Sequence, residues 1–248
     1  MYLDELYYIL INEIQEHLKY TNEEEIDFEF TPETKKFKFY IPDKENIRKT
    51  KSTNKKIEME KIKLEIINCK KCKLQKTRTN TVPGSGNLNA EIMFIGEGPG
   101  EQEDLSGKPF VGKAGQLLEK IINNVMHLKR EDVYMTNIVK CRPPGNRNPD
   151  NHEVSSCIGY LYSQIKTVNP KIIVLLGSVA LGSLLPAYKG IIKNRGRILK
   201  LYLSKEHIYT VIPTYHPSYL LRGTPDEIKR KKYDVWQDIK KVMKLLDS

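Results

Sequence analysis

The stretch Ile172-Ile173-Val174-Leu175-Leu176 contains no polar residue. A run of this kind cannot alternate a wet face with a dry one, so it reads as a strand covered on both sides. Ile92-Met93-Phe94-Ile95 follows the same pattern, Val133 to Asn137 is a further apolar strand that ends in Thr136-Asn137, and Ile198 to Leu203 and Ile208 to Ile212 add two more strands. Helical segments lie between and around them: Ile57 to Asn68, Ala114 to Met126, a third from near Asn151 to just before Pro170, and a terminal one through Trp236 to Leu246. The last begins at Thr224-Pro225-Asp226-Glu227, which combines a cap, a proline at the first helical position and a capping-box glutamate. Gly177-Ser178 opens a short helix, with Ser178 expected at its N-cap. Strands alternating with helices predict an α/β fold, a mainly parallel central sheet with helices on both faces. In such sheets ligands gather beyond the carboxyl ends of the strands.

The loops after these strands are the unusual part of the chain. Gly96-Glu97-Gly98-Pro99-Gly100 follows the first strand and leads through Glu103-Asp104 to Gly107-Lys108-Pro109-Phe110-Val111-Gly112. A dinucleotide fingerprint needs glycine where Glu101 stands, and a phosphate loop needs Ser or Thr where Pro109 stands. The crowded carboxylates would also repel phosphate. Phe110 is an aromatic ring on a loop with no evident core to fill. Asn137 ends the second strand and His216 follows the last, so Glu97, Asn137 and His216 are expected at one sheet edge, where a pocket needs converging polar groups.

Lys and Arg number 41 against 31 Asp and Glu, a formal charge of +10. That balance favours a polyanionic partner, nucleic acid before membrane. No apolar run approaches the ~18 residues of a membrane span. The start, Met1-Tyr2-Leu3-Asp4-Glu5, carries no basic leader, and the expectation is an intracellular protein. Residues 1–56 read as an N-terminal extension. Leu3, Leu6, Leu10, Ile14 and Leu18 predict an amphipathic helix. Phe28, Phe30, Phe37 and Phe39 predict a short hairpin, and Glu45 to Lys56 a charged linker. Residues 57–248 read as the catalytic domain. Lys229 to Lys232 reads as a solvated helix face.

The four cysteines fall in one scheme. Cys69-x-x-Cys72 ends a helix, Cys141 follows a strand and Cys157 lies on the next helix. Structural disulfides are not expected inside a cell. Four thiolates suit either zinc or a four-iron cluster, and the spacing alone leaves both open.

Taken together, these motifs resemble family 4 uracil-DNA glycosylases, the iron–sulfur enzymes of archaea and bacteria. The resemblance rests on Gly96 to Gly100 with Glu103-Asp104, Gly107 to Gly112, Thr136-Asn137 with Cys141-Arg142-Pro143-Pro144, and His216-Pro217-Ser218 through Arg222, over roughly residues 60–248. It implies a uracil-DNA glycosylase-like fold and a monofunctional enzyme of base excision repair that cleaves the N-glycosidic bond of uracil in DNA. It implies a [4Fe–4S] cluster on Cys69, Cys72, Cys141 and Cys157, with zinc as the alternative. A flipped uracil would stack on Phe110, with Asn137 on its edge, Glu103 at C5 against a thymine methyl, and Glu97 and Gly98 at the floor. His216 would face O2. Another uracil glycosylase family has Asp where this chain has Gly98, so Glu97 is read as the group that positions water.

The chemistry fits these residue types. Breaking the bond puts negative charge on the departing base and positive charge on the sugar. A donor at O2 and a carboxylate near the sugar stabilise both. A flipped base needs a ring to replace its lost stacking. Arg142, Arg147 and Arg222, with Arg78, are expected on phosphates, and Leu220, Tyr219 or Leu221 as the apolar wedge. The expected partners are uracil-containing DNA and, through the extension, replication or repair proteins. The expected place is the prokaryotic cytoplasm, on the nucleoid. Two other readings use the same residues: a non-catalytic or covalent uracil-DNA binder, and a zinc-stabilised nucleic-acid-binding module.

Overall fold

A computed structural model of the chain describes the backbone at residues 27–28, 37–38 and 44–246, and side chains from 54 to 246. The helix expected over residues 1–20, with Phe30 and Phe39, lies outside the described residues. The chain divides into two compact units, Met1–Lys51 and Ser52–Ser248. In the first, β1 (Asp27–Phe28) and β2 (Phe37–Lys38) pair antiparallel, with Phe28 opposite Phe37. This is the hairpin expected from the alternating phenylalanines.

The segment expected as a linker is helical, since α1 runs Lys44–Ile67. It holds no glycine or proline, and its Lys and Glu residues are good helix formers. Charge alone misled the reading. Lys55 donates to the carbonyls of Leu88 and Val168 at 3.2 and 2.9 Å, while Met59, Ile62 and Ile66 are buried.

The sheet of the second unit has six strands: β3 (Ser85–Gly86), β4 (Ile92–Gly96), β5 (Tyr134–Asn137), β6 (Ile172–Leu176), β7 (Leu199–Tyr202) and β8 (Ile208–Thr214). Their order is β3-β5-β4-β6-β8-β7. The four central strands are parallel, and β3 and β7 are antiparallel edges. β4, β5 and β6 are buried at every position, as the apolar runs of β4 and β6 require, and in β5 the polar Thr136 and Asn137 are buried as well. Side chains alternate between the two faces. Met93 and Ile95 of β4 join a core with α1 and α4 (Asn151–Val168), while Ile92 and Phe94 join a core with α3 (Lys113–Val125) and α7 (Pro225–Leu246).

Three short elements were not legible in the sequence. α2 (Glu101–Ser106) begins after Gly100 and stops at Gly107, whose φ of 70° ends the helix in the left-handed region. β3 lies in a stretch read as loop. α6 (Ile191–Asn194) follows α5 (Gly177–Leu184). Within α5, Ser178 is the second helical residue rather than the cap, because Leu176 holds the cap position without a side-chain bond. At α7, Thr224 and Glu227 exchange the expected capping bonds, at 2.8 and 3.4 Å.

β4 and β6 are neighbours whose following connections leave in opposite directions, towards β5 and towards β8. That divergence opens a crevice at their carboxyl ends.

Candidate active site

The crevice is a cleft of about 440 Å³. Glu97 and Gly98 enter it from β4, Asn137 from β5, Gly177 and Ser178 from β6, His216 from β8, and Phe110 from the loop before α3. Every residue expected to touch a base therefore lines one space.

The polar groups differ in what they have left to offer. Glu103 is fully engaged, since its carboxylate accepts from the backbone N–H of Gly100, Val111 and Gly112 at 3.1, 2.8 and 2.8 Å. It braces the Phe110 loop as well as lining the cleft. Asn137 is 2% exposed, yet its amide makes no hydrogen bond to any described residue. The amide opens on the cleft, with a donor and an acceptor free. The carboxylate of Glu97 likewise has no partner among the described residues, and partial burial raises its pKa above the usual range.

His216 is oriented by its neighbour. The Ser218 N–H donates to Nδ1 at 3.2 Å, and the Ser218 hydroxyl lies 2.8 Å from the same nitrogen. A backbone N–H can only donate, so Nδ1 carries the lone pair and the proton sits on Nε2. Burial lowers the His216 pKa to about 4, only partly opposed by the charge of Glu103. The imidazole is neutral at physiological pH and offers one N–H donor.

Phe110 adopts φ 53°, and its ring centre lies 6.4 Å from that of His216. Arg130 holds this strained residue by donating to the carbonyls of Phe110, at 3.0 Å, and Pro109. Gly96 makes room beneath. A Cβ there would meet the Asn137 Oδ1 at 2.5 Å and the Phe110 ring at 2.7 Å. The glycine thus admits the cleft's own side chains.

The residues expected on DNA separate. Arg222 is exposed at the rim of the cleft. Arg147 also lines it, but its two terminal nitrogens grip the fully buried Glu153 at 2.9 and 2.7 Å, so it braces the cleft wall rather than standing free for phosphate. Arg142 lies outside the lining and bonds Asn146 at 2.8 Å. Leu220 cannot be the wedge. It is 1% exposed and packed in the core with α3 and α7, whereas Tyr219 and Leu221 beside it are 41% and 47% exposed.

A second cavity lies behind the β5 end of the cleft, lined by Cys69, Cys72, Cys141 and Cys157. Arg78, expected on phosphate, faces this cavity instead. It donates to Cys141 Sγ at 3.1 Å and to the Cys69 carbonyl at 3.0 Å. Lys140, 1% exposed, donates through Nζ to Thr136 Oγ1 and the Asn137 carbonyl at 2.6 Å and to Gln164 Oε1 at 2.8 Å, while its backbone N–H reaches Cys157 Sγ at 3.3 Å. It joins the cysteine cavity to the strand end that carries Asn137. Neither role had a signal in the sequence, where basic residues in a basic chain read as surface.

Among the described residues no group of His, Cys, Asp and Glu is arranged to hold a single metal ion. Four cysteine thiols lining one cavity form a donor set that suits zinc or a four-iron cluster alike.

The family model for the uracil DNA glycosylase superfamily matches residues 83–240. A type-4 uracil-DNA glycosylase of Saccharolobus solfataricus is 46% identical over 187 residues, covering 74% of this chain and 84% of that protein. One of Sulfurisphaera tokodaii is 49% identical over 164 residues, 64% of this chain and 74% of its own length. One of Thermotoga maritima is 45% identical over 184 residues, 74% and 92%.

Proposed function

The chain belongs to the uracil DNA glycosylase superfamily, and from that membership we propose that the cleft between β4, β5, β6 and β8 is where it releases uracil from DNA. The protein is a uracil-DNA glycosylase of DNA repair. The observation that carries the cleft assignment is the unpaired amide of Asn137, open to the same cleft as the unpaired carboxylate of Glu97.

The roles follow from what each group has free. The flipped uracil stacks on Phe110, and the Asn137 amide pairs with its edge. Glu103, immobilised by three backbone N–H groups, forms a wall at C5 where thymine would carry a methyl. Gly98 lets the base reach the floor. The Nε2–H of His216 donates to O2, and its bond strengthens as charge builds on the leaving base. A neutral donor suits this task, because the proton stays on the histidine while the base leaves as an anion. Glu97 holds the attacking water and offsets the positive sugar. Arg222 and Arg142 meet the phosphates, and Leu221 replaces Leu220 as the wedge.

Cys69, Cys72, Cys141 and Cys157 would hold a [4Fe–4S] cluster, which supplies structural cross-linking between the Cys69–Cys72 turn, the Cys141 loop and α4. Arg78 then stands as a charge partner of the thiolate set. Arg78→Met is expected to lower iron per protein at least about twofold and to weaken the visible absorbance band, since a hydrogen bond to a charged group contributes roughly 1.5–3 kcal/mol. Undiminished iron would remove Arg78 from this role. No helix among the described residues is long and apolar enough to cross a membrane. Residues 57–248 are read as the catalytic domain, at work on DNA in the prokaryotic cytoplasm, and 1–56 as the part that meets replication or repair proteins.

The test is an oligonucleotide carrying one uracil, with a thymine control. Alkali-labile cleavage at uracil alone is expected. Cleavage at neither base, with the DNA bound, would sink the glycosylase reading of the cleft.

A further inference from the structure

The 3₁₀ turn Pro217–Leu221 continues from His216 and ends at Arg222. Leu220 anchors it from below, which leaves Tyr219 and Leu221 exposed. A single cation grips the turn from the side. Lys231 of α7 is 8% exposed, although its neighbours Arg230 and Lys232 are exposed as the sequence led us to expect. Its Nζ donates to the Arg222 carbonyl at 2.8 Å and lies 4.2 Å from the centre of the Tyr219 ring. Tyr219 in turn meets Tyr215 at 5.0 Å between ring centres.

A buried ammonium is costly unless partners replace its water. Here a carbonyl and an aromatic face do so, and both belong to the turn. The chain closes tightly over this cation. Gly223, at φ 111°, sits where a Cβ would lie 2.4 Å from Glu227 Oε2 and 3.2 Å from the Lys231 Nζ.

The geometry points to Lys231 as a positioning residue that holds Leu221 ready to enter a duplex at the uracil and Arg222 ready for its phosphates. The inference rests on the glycosylase reading above and on Leu221 as the wedge. Extruding a stacked base costs a few kcal/mol. An apolar side chain that fills the gap offsets this best when it is already ordered, because ordering it during binding subtracts from the gain. A single strand has no paired stack to fill. Lys231 therefore matters for duplex substrates and little for single-stranded ones, a pattern that a general loss of fold would not produce.

The experiment compares kcat/KM on duplex and single-stranded DNA carrying one uracil for wild type, Lys231→Met, Lys231→Arg and Leu221→Ala. Lys231→Met is expected to lose about tenfold on the duplex and less than about twofold on the single strand, with Lys231→Arg retaining most of the duplex rate. Leu221→Ala is expected to show the same duplex-selective loss, and the Lys231→Met/Leu221→Ala double variant to be little worse than Leu221→Ala alone, since the two act through one device. Equal losses on both substrates, or no loss on the duplex, would overturn the role of Lys231. A Leu221→Ala variant with full duplex activity would overturn the wedge beneath it. Failure of wild type to release uracil from either substrate would instead overturn the glycosylase reading.

Discussion

Replacing His216 by alanine is expected to lower kcat by about 10² to 10³, or roughly 2.7–4 kcal/mol of transition-state stabilisation, with little change in KM. The asymmetry follows from charge. In the ground state O2 of uracil is a carbonyl oxygen that the Nε2–H meets weakly. As the glycosidic bond breaks, that oxygen takes on the charge of the departing base and the same bond strengthens. The structure adds a condition on pH. Burial holds the pKa of His216 near 4, and Nδ1 is taken by Ser218, so the donor is the neutral imidazole. The wild-type rate should therefore show no fall between pH 6 and 8. A rate that dropped as pH rose through about 6.5, the ordinary histidine value, would mean that the working form is the cation. Ser218→Ala offers a milder check, because it removes the hydroxyl at Nδ1 and keeps the backbone bond.

Glu97→Gln carries the second large effect, a loss of about 10² or more in kcat within the range expected for a lost general acid–base group. It should also change the shape of the pH profile. Burial raises the Glu97 pKa above the usual carboxylate range, and the charged form is the one that orients water and faces the sugar cation. Activity is then full well above this raised pKa and falls as pH drops through it. In Glu97→Gln the acid limb should vanish along with most of the rate. A variant that kept both would take Glu97 out of the chemistry and leave water positioning to another group in the cleft.

Much of the framework was legible from the residues. β4 and β6 are legible because strands buried on both faces have no polar positions to confuse the pattern, and β5 is legible from its apolar start at Val133. Asn137 and His216 were placed by the rule that polar residues after parallel strands share one edge. Reading failed where a contact decided the outcome. Leu220 and Leu221 are identical in type and adjacent, and only packing against α3 and α7 buries the first and leaves the second exposed. Lys231 sits in a run of four basic residues, yet it alone turns inward to a carbonyl and a ring. Arg78 and Arg147, expected on phosphates, are bonded within the protein, and Lys140, which carried no expectation, is a buried brace; the partners of Arg78 and Lys140, such as Cys141 and Gln164, lie distant in sequence. Glu103 is held by three backbone N–H groups that its sequence position does not reveal. Glu45 to Lys56 shows the reverse error, where charge masked good helix propensity.

The most direct measurement counts free uracil released per protein molecule from a single-uracil oligonucleotide, using protein purified without oxygen. Many uracils per molecule are expected, with no free thymine from the matched control and a rate that collapses in His216→Ala and Glu97→Gln. Release that stops at one uracil per molecule with the DNA retained would contradict it, and would make this cleft a trap for uracil-DNA rather than a catalyst.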